Sequence, residues 1–393
     1  MKRERWSGLR VLLLAGCLPV WSGRALAETP SVVCSEGSGR FETLFGGTVN
    51  VQVGPSSAGE LSSRSCSAIV AANRHRVEVA TDSSIVDLDA LGVDLGLGSL
   101  VAAFQVKKTP ADCCMEYDIY SISGTPQLLR RITGGDFYRA EDTDLDGRVE
   151  IWMGDVRATE GLEELTAADF EAPPTMVLRF QHGELFDVGS EFRDHFDDQI
   201  ARLRSTLDAS ELRAFHDGDK GSRRAVKAAV IGIVWAYLYS GRENEAWGAL
   251  VEMWPSADRE PIRSAIIAAR SRGVGAQVKG VSGKAGTGRE KHPIIFEATT
   301  GMAGRKPEVR PPEPILMGRP SPGEGDQALP QAETNLELVV DSAGKVRAVD
   351  ATKQVERMDP GLVSAARKWK FVPANKDGRP VPSRMRLAVS LRR

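Results

Sequence analysis

Apolar and polar positions change their period along the chain, and each change marks a different kind of element. Between Phe41 and Phe186 the chain reads as short β-branched or aromatic runs, with alternation clearest in the first two: Thr48-Val49-Asn50-Val51-Gln52-Val53, Arg76-Val77-Glu78-Val79-Ala80, Leu100 to Val106, Tyr117 to Ile122 and Met176 to Phe180. Period two in β-branched and aromatic segments, broken by Gly, Ser, Pro and Asp, predicts strands joined by turns. Gln181-His182-Gly183-Glu184 fits a tight turn, which makes His182 a turn residue. From Phe192 the period becomes helical: Phe192, Phe196, Ile200 and Leu203 form one stripe, and Val226, Val230, Ile233 and Tyr237 a second. A third carries Trp247, Leu250, Val251 and Trp254, and a last helix runs from about Arg259 to Arg270 with Pro261 in its first turn. Gly273 to Glu333 is rich in Gly, Pro, Lys and Arg, and Lys306 to Pro314 favours extended polyproline conformations. One short strand, Pro293-Ile294-Ile295-Phe296, interrupts it. The fold class predicted is α+β and multidomain: a β-rich domain over 28–190, a small helical bundle over 191–272, a Pro/Gly-rich flexible linker over 273–333, and a C-terminal antiparallel sheet with one packed helix over 334–393.

Length and composition agree with this division. The chain has 393 residues, too many for one ordinary domain, and its 41% apolar and 26% charged residues are a normal globular balance. A net charge of −2 conceals an asymmetry, because the segment from Thr334 onward holds 13 Lys and Arg against 6 Asp and Glu. Such a basic module suits an acidic partner or a phospholipid surface, or is a solvated charged face. No aromatic-interleaved basic groove or nucleic-acid motif is present, so no nucleic-acid partner is expected.

Residues 1–27 have the order of an export signal. Lys2, Arg3 and Arg5 precede an apolar core from Val11 to Trp21, and Ala25-Leu26-Ala27 offers a small-residue cleavage site. Leu14-Ala15-Gly16-Cys17 gives the alternative, a lipoprotein box with Cys17 lipidated. In both cases the mature chain is expected to be periplasmic or exported with no transmembrane helix, since the apolar run is too short to span a bilayer. Four further cysteines, Cys34, Cys66, Cys113 and Cys114, are expected to oxidise in that compartment. A bond between the adjacent Cys113 and Cys114 is disfavoured by the usual Cα separation of about 4.4–6.8 Å in disulfides. Pairing of Cys34 and Cys66 with one each of that pair is therefore expected.

The sharpest local motif is Asp142-Thr143-Asp144-Leu145-Asp146-Gly147-Arg148-Val149-Glu150. Asp142, Asp144 and Asp146 alternate along a tight loop, glycine allows the turn, Arg148 offers its backbone carbonyl, and Glu150 brings a further oxygen. Hard oxygen ligands of this kind suit Ca²⁺. Met153 stands where an EF-hand has its bidentate glutamate, and a strand pattern follows in place of a helix. The motif resembles the calcium loop of FG-GAP and VCBS-type β repeats, which implies Ca²⁺ bracing a turn between strands. An acidic surface turn without metal is the alternative. Ala236 to Trp247 is similar to the inter-helix turn of a single tetratricopeptide repeat.

The C-terminal segment has the most continuous pattern. Leu336, Leu338 and Val340 alternate into a strand, Asp341-Ser342-Ala343-Gly344 turns it, and Val346 and Ala348 continue a second strand. Asp359-Pro360 suits a helix start, Leu362, Val363, Ala366 and Trp369 recur at helical spacing, and Arg367, Lys368 and Lys370 close the basic end. Asn375 to Gly378 makes a turn, and Met385 to Leu391 alternates into a last strand. These residues, with Trp369-Lys370-Phe371-Val372-Pro373-Ala374 and the turn at Asp377-Gly378-Arg379-Pro380-Val381, resemble the C-terminal domain of the TonB family of energy transducers. The resemblance implies a partner protein of the cell envelope, an outer-membrane transporter in the family, bound by addition of a strand. The last strand would offer the backbone at Arg386, Ala388 and Ser390, and Arg384, Arg386 and Arg392 would favour an acidic segment.

No catalytic constellation is legible. His75, His182, His195, His216 and His292 are scattered, and neither a phosphate loop, a zinc helix nor a nucleophile elbow is present. A non-enzymatic binding protein is the expectation; the alternatives are a calcium-braced sensor or ligand binder and an envelope hydrolase.

Overall fold

The computed structural model describes residues 33–34, 37–42, 48–55, 65–72, 74–217, 223–281, 293–298, 308–318, 333–351 and 360–390. The expected leader and Cys17 lie outside them, as do Asp359 and Arg392. The fold is mixed α+β, with β-rich sheets first, a helical segment in the centre, and mixed sheets with a short helix at the end.

Two sheets form the N-terminal part. Gly37–Glu42, Thr48–Pro55, Cys66–Ala72 and His75–Ser83 make a four-stranded antiparallel meander. A nine-stranded sheet runs in chain order from Ile85–Asp94 through Leu100–Lys107, Met115–Ser121, Gln127–Glu141, Glu150–Asp155 and Thr175–Gln181 to Glu184–Asp187. Its two outer strands, Val33–Cys34 and Gly280–Val281, are added in parallel. The larger sheet is covered on both faces, and alternation along a single strand shows how. In Leu100–Lys107, Ala102, Phe104 and Val106 enter the core shared with the small sheet, while Val101 and Ala103 enter the core shared with the helices.

The helices are Arg193–Thr206, Ala209–His216, Arg224–Tyr239, Glu243–Met253 and Arg259–Arg272. Gly241, with φ +75°, turns the chain between the third and fourth. Trp235 and Trp254 are 2% and 1% exposed and belong to the same core as strand residues Ile151 and Val177. The helical unit and the nine-stranded sheet therefore share one apolar core.

The C-terminal module consists of the hairpin strands Glu333–Val340 and Val346–Ala351, the helix Pro360–Ala366, and the closing strand Ser383–Ser390. A smaller hairpin, Ala374–Lys376 with Arg379–Val381, turns at Asp377 and Gly378, both at positive φ. The closing strand lies beside Glu333–Val340 and pairs with it antiparallel along all eight residues. Leu336, Leu338, Val340, Leu362, Ala366, Trp369 and Phe371 form its own apolar core.

The described parts of 273–333 differ from a free linker. Gly280–Val281 completes the large sheet, Phe296–Glu297 pairs in parallel with the closing strand, and Glu313–Leu316 pairs antiparallel with Lys370–Val372. The reason lies in the few apolar residues of this stretch: Ile315 joins the core between the two N-terminal sheets, and Phe296 and Ala298 pack on that of the C-terminal module. Among the described residues no helix is long and apolar enough to cross a membrane.

Candidate functional site

The turn predicted at Asp341 to Gly344 is buried against the N-terminal β domain. Asp341 and Ser342 are 0% exposed, and Ala343 belongs to the sheet–helix core. Gly344 sits at φ +79° and its carbonyl accepts from the Phe371 N–H at 2.9 Å; a Cβ there would lie 1.8 Å from the Phe371 carbonyl oxygen, so only glycine fits. Five polar contacts hold the turn and its flanks. The Ser342 hydroxyl donates to Asp142 Oδ2 at 2.8 Å and the Asp142 N–H to Asp341 Oδ2 at 3.1 Å. Lys345 Nζ contacts the Asp89 carboxylate, which also accepts from the Tyr117 hydroxyl at 2.6 Å and the Ala140 N–H at 2.8 Å. Lys370 Nζ lies 2.7 Å from both oxygens of Asp87, and Arg347 Nη1 2.8 Å from Glu141 Oε2. Basic residues of the module thus meet acidic residues of the β domain in a largely buried interface. Sequence reading missed the receiving side, Asp87, Asp89 and Glu141; the signal was acid at alternate positions in Val86-Asp87-Leu88-Asp89, a strand that is otherwise apolar.

The Asp-rich loop adjoins this interface. Each of Asp142, Asp144 and Asp146 offers a carboxylate oxygen, and the three lie within 4.8 Å of one another. The loop is shaped by its own backbone: Asp142 Oδ1 accepts from the Asp146 N–H and Oδ2 from the Gly147 N–H, both at 3.0 Å, while Leu145 and Gly147 adopt φ of 57° and 85°. Burial raises the Asp142 carboxyl, against the Ser342 and Gly147 donors that lower it. Arg148, whose backbone carbonyl was the expected ligand, and Glu150 each engage neighbouring side chains. The Arg148 guanidinium donates to Asp146 Oδ2, with its Nε at 2.8 Å. Glu150 is fully buried, where its Oε2 accepts from the Thr143 N–H at 3.0 Å and its Oε1 from Arg179 Nε at 3.0 Å. Burial pushes Glu150 up to about 7, opposed first by the Arg179 charge. Three carboxylates converging on one point fit a hard cation; Glu150 serves the Arg179 pair beneath the loop.

The loop opens on a cleft of about 1280 Å³ whose wall includes Arg139, Glu141, Asp144, Arg148, Trp152, Gln181, His195 and Arg347. Glu141 bridges Arg139 at 2.6 Å and Arg347 at 2.8 Å. The Trp152 indole donates to Thr143 Oγ1 at 2.8 Å, and its ring stands edge-on to Phe192 and His195 at 5.3 and 4.8 Å. Burial, then the charge of Arg202, hold His195 below its usual range, which favours a neutral imidazole at pH 7. His195 is placed here as a packing partner of aromatic rings.

The closing strand is the second candidate surface. Its inner side is occupied throughout by Glu333–Val340. On its outer side the carbonyls of Pro382 and Arg384 accept from the N–H groups of Phe296 and Ala298 at 3.0 and 2.9 Å. Because both backbone groups of a strand residue point to the same side and alternate along the chain, Arg386, Ala388 and Ser390 direct theirs outward as well. Arg386 and Ala388 are exposed, while Leu387 and Val389 pack on the module's core. The residues expected to form a partner edge therefore share one edge, of which Phe296–Glu297 covers the beginning.

The cysteines differ from expectation. Cys113 and Cys114 are bonded to each other, with Cα atoms 3.7 Å apart. Adjacent residues close an eight-membered ring, for which the separation rule drawn from distant pairs does not hold. Cys66 is itself disulfide-bonded and 0% exposed, so it does not pair with either. Cys34 lies in a strand beside Ile85 and Val86.

Among protein-family models, curated proteins and solved structures, none matches this chain.

Proposed function

We propose that this chain is an exported, non-enzymatic protein of the cell envelope that binds an extended segment of a partner protein along the outer edge of its closing strand. One observation carries the reading: a strand paired along eight residues on one side is paired, among the described residues, with Phe296–Glu297 alone on the other. Among the described residues, the backbone groups of Arg386, Ala388 and Ser390 meet no other strand. An open edge on a rigid sheet suits β-augmentation, in which main-chain hydrogen bonds give affinity and alternate side chains give specificity. The resemblance of this segment to the TonB C-terminal domain supports the same surface and suggests an outer-membrane transporter as the partner. The buried ion pairs at Lys345 and Lys370 support a module held in place on the β domain. A photo-crosslinking amino acid at Ala388 in the full chain is expected to trap one specific envelope protein. Arg386→Pro, which removes an outward N–H and leaves the inner ladder intact, is expected to abolish that adduct. An adduct indifferent to Arg386→Pro would refute strand addition.

A second reading is favoured by the Asp142, Asp144 and Asp146 cluster beside the cleft: Ca²⁺ braces the loop of a sensor or ligand-binding domain. Calorimetric titration of the full chain with calcium is expected to show a saturable heat that Asp144→Ala removes. The full chain is needed because Gly280–Val281 and the helices complete the sheet that carries the loop.

A further inference from the structure

The short segment lying on the outer edge is itself informative. Phe296–Glu297 runs parallel to the closing strand, in register with Ser383 and Arg384. Each residue of this strap makes a distinct contact. The Phe296 ring packs on the apolar core of the module, with the Lys376 ammonium 4.7 Å from its centre, a cation–π geometry. The Glu297 carboxylate lies 3.5 Å from Arg384 Nη1. Ala298 is 9% exposed, so this position accepts a small side chain. Upstream, the Ile294 N–H donates to the carbonyl of Leu145 at 3.1 Å, tying the strap to the Asp-rich loop, while the Ile294 side chain stays 58% exposed.

We propose that residues 293–298 are a built-in pseudo-ligand of this edge. The partner is an extended segment of the same pattern, a large apolar residue, an acidic residue and a small residue in succession, which runs parallel to the closing strand and displaces the strap. The proposal rests on the strand-addition reading and deepens it by naming the recognised chemistry. Among the described residues, two residues of pairing hold the strap, against eight along the inner ladder, so a longer segment that continues past Arg384 to Ser390 outcompetes it by adding hydrogen bonds that residues 293–298 do not make. The contacts also set the direction and register of the newcomer: its apolar residue opposite Ser383 and its acid opposite Arg384.

The test uses the full chain and a fluorescein-labelled peptide with the sequence of residues 291–300, followed by anisotropy. Wild-type chain, whose own strap is in place, is expected to bind it weakly. Phe296→Ser and Glu297→Lys chains, which loosen the strap through its ring and through its ion pair, are each expected to bind it at least about tenfold more tightly. A peptide carrying Glu297→Lys is expected to lose that gain on the Phe296→Ser chain. Equal affinity for wild type and both variants, or a gain that the charge-reversed peptide keeps, overturns the proposal. The two readings fail separately: a tenfold gain without an Ala388 adduct in cells leaves the edge site standing and removes the outside partner. An adduct without the gain leaves the partner and removes the strap's role.

Discussion

Lys345 shows at the residue scale what holds the module in place. Its ammonium meets Asp89, which is 3% exposed and already accepts from Tyr117 and Ala140. Removing one partner of a buried pair leaves the other charge without compensation, typically at a cost of about 3–5 kcal/mol. Lys345→Ala is therefore expected to destabilise the chain by that order in denaturant unfolding, and a double-mutant cycle with Asp89→Asn is expected to recover much of it. A loss under about 1 kcal/mol would mean that the pair does not anchor the module. Asp341 makes a pH prediction. Burial, opposed by the Lys345 N–H and by Arg347, pushes its carboxyl from 3.8 up to about 7. The folded chain thus keeps a proton that the unfolded chain releases as pH rises through this window, so stability is greatest below the window and falls as pH climbs through it. Glu150 at about 7 and Asp187 at about 6 act with the same sign. The melting temperature is expected to be higher at pH 5 than at pH 8, with the slope reduced in Asp341→Asn. At this scale the sequence revealed the Asp341–Gly344 turn, whose residue types require one, but not its burial, which depends on acids some 200 and 256 positions away.

Strands with an alternating apolar face were legible as elements, and so were some that are buried on both faces, such as Leu100–Lys107. Thr48–Pro55 and the closing strand alternate cleanly and were anticipated; Thr175–Gln181, buried from Met176 to Phe180, was anticipated from its run of β-branched and aromatic residues. Ile85–Asp94 is apolar on both faces because the large sheet has a core on each side, and such a run lacks the period-two signal. Gln127–Glu141 was hidden by Gly134-Gly135, which reads as a turn; Gly134 takes φ +102° where the strand's register shifts, and a Cβ on Gly135 would lie 2.7 Å from the Tyr138 ring. The helices were legible because Phe196 and Ile200, and Val226, Val230 and Ile233, recur at helical spacing and are buried. Of the proposed calcium loop the three aspartates were legible, whereas the Glu150–Arg179 pair joins neighbouring strands and has no local signal. The cysteines carry the element-scale prediction. The Cys113–Cys114 bond closes almost no chain loop, so Cys113→Ser with Cys114→Ser is expected to cost under about 1 kcal/mol. Cys66→Ser, at a buried bonded cysteine, is expected to cost about 2–5 kcal/mol. Equal costs in thermal or denaturant unfolding would contradict the assignment of the bonds.

On the scale of the whole molecule, the described residues form three layers and a docked module. The small sheet, the large sheet and the helices enclose two cores, and the C-terminal module adds a third while inserting its turn beside the Asp-rich loop. Glycine and proline content misled the division at 273–333, because a few apolar residues, Phe296, Ala298 and Ile315, are enough to fix short pieces of such a stretch onto neighbouring surfaces. Docking through Lys345, Arg347 and Lys370 orients the module on the β domain, and among the described residues the outer edge of its closing strand beyond Arg384 meets no other strand, as the proposed strand addition requires.

Residue-resolved amide hydrogen exchange along Ser383–Ser390 in the full chain tests that availability most directly. The account predicts an alternating pattern in which the N–H groups of Met385, Leu387 and Val389, bonded to Glu333–Val340, are protected, while those of Arg386 and Ala388 exchange at least about tenfold faster. Uniform protection of all five would place another strand on the outer edge and contradict the account.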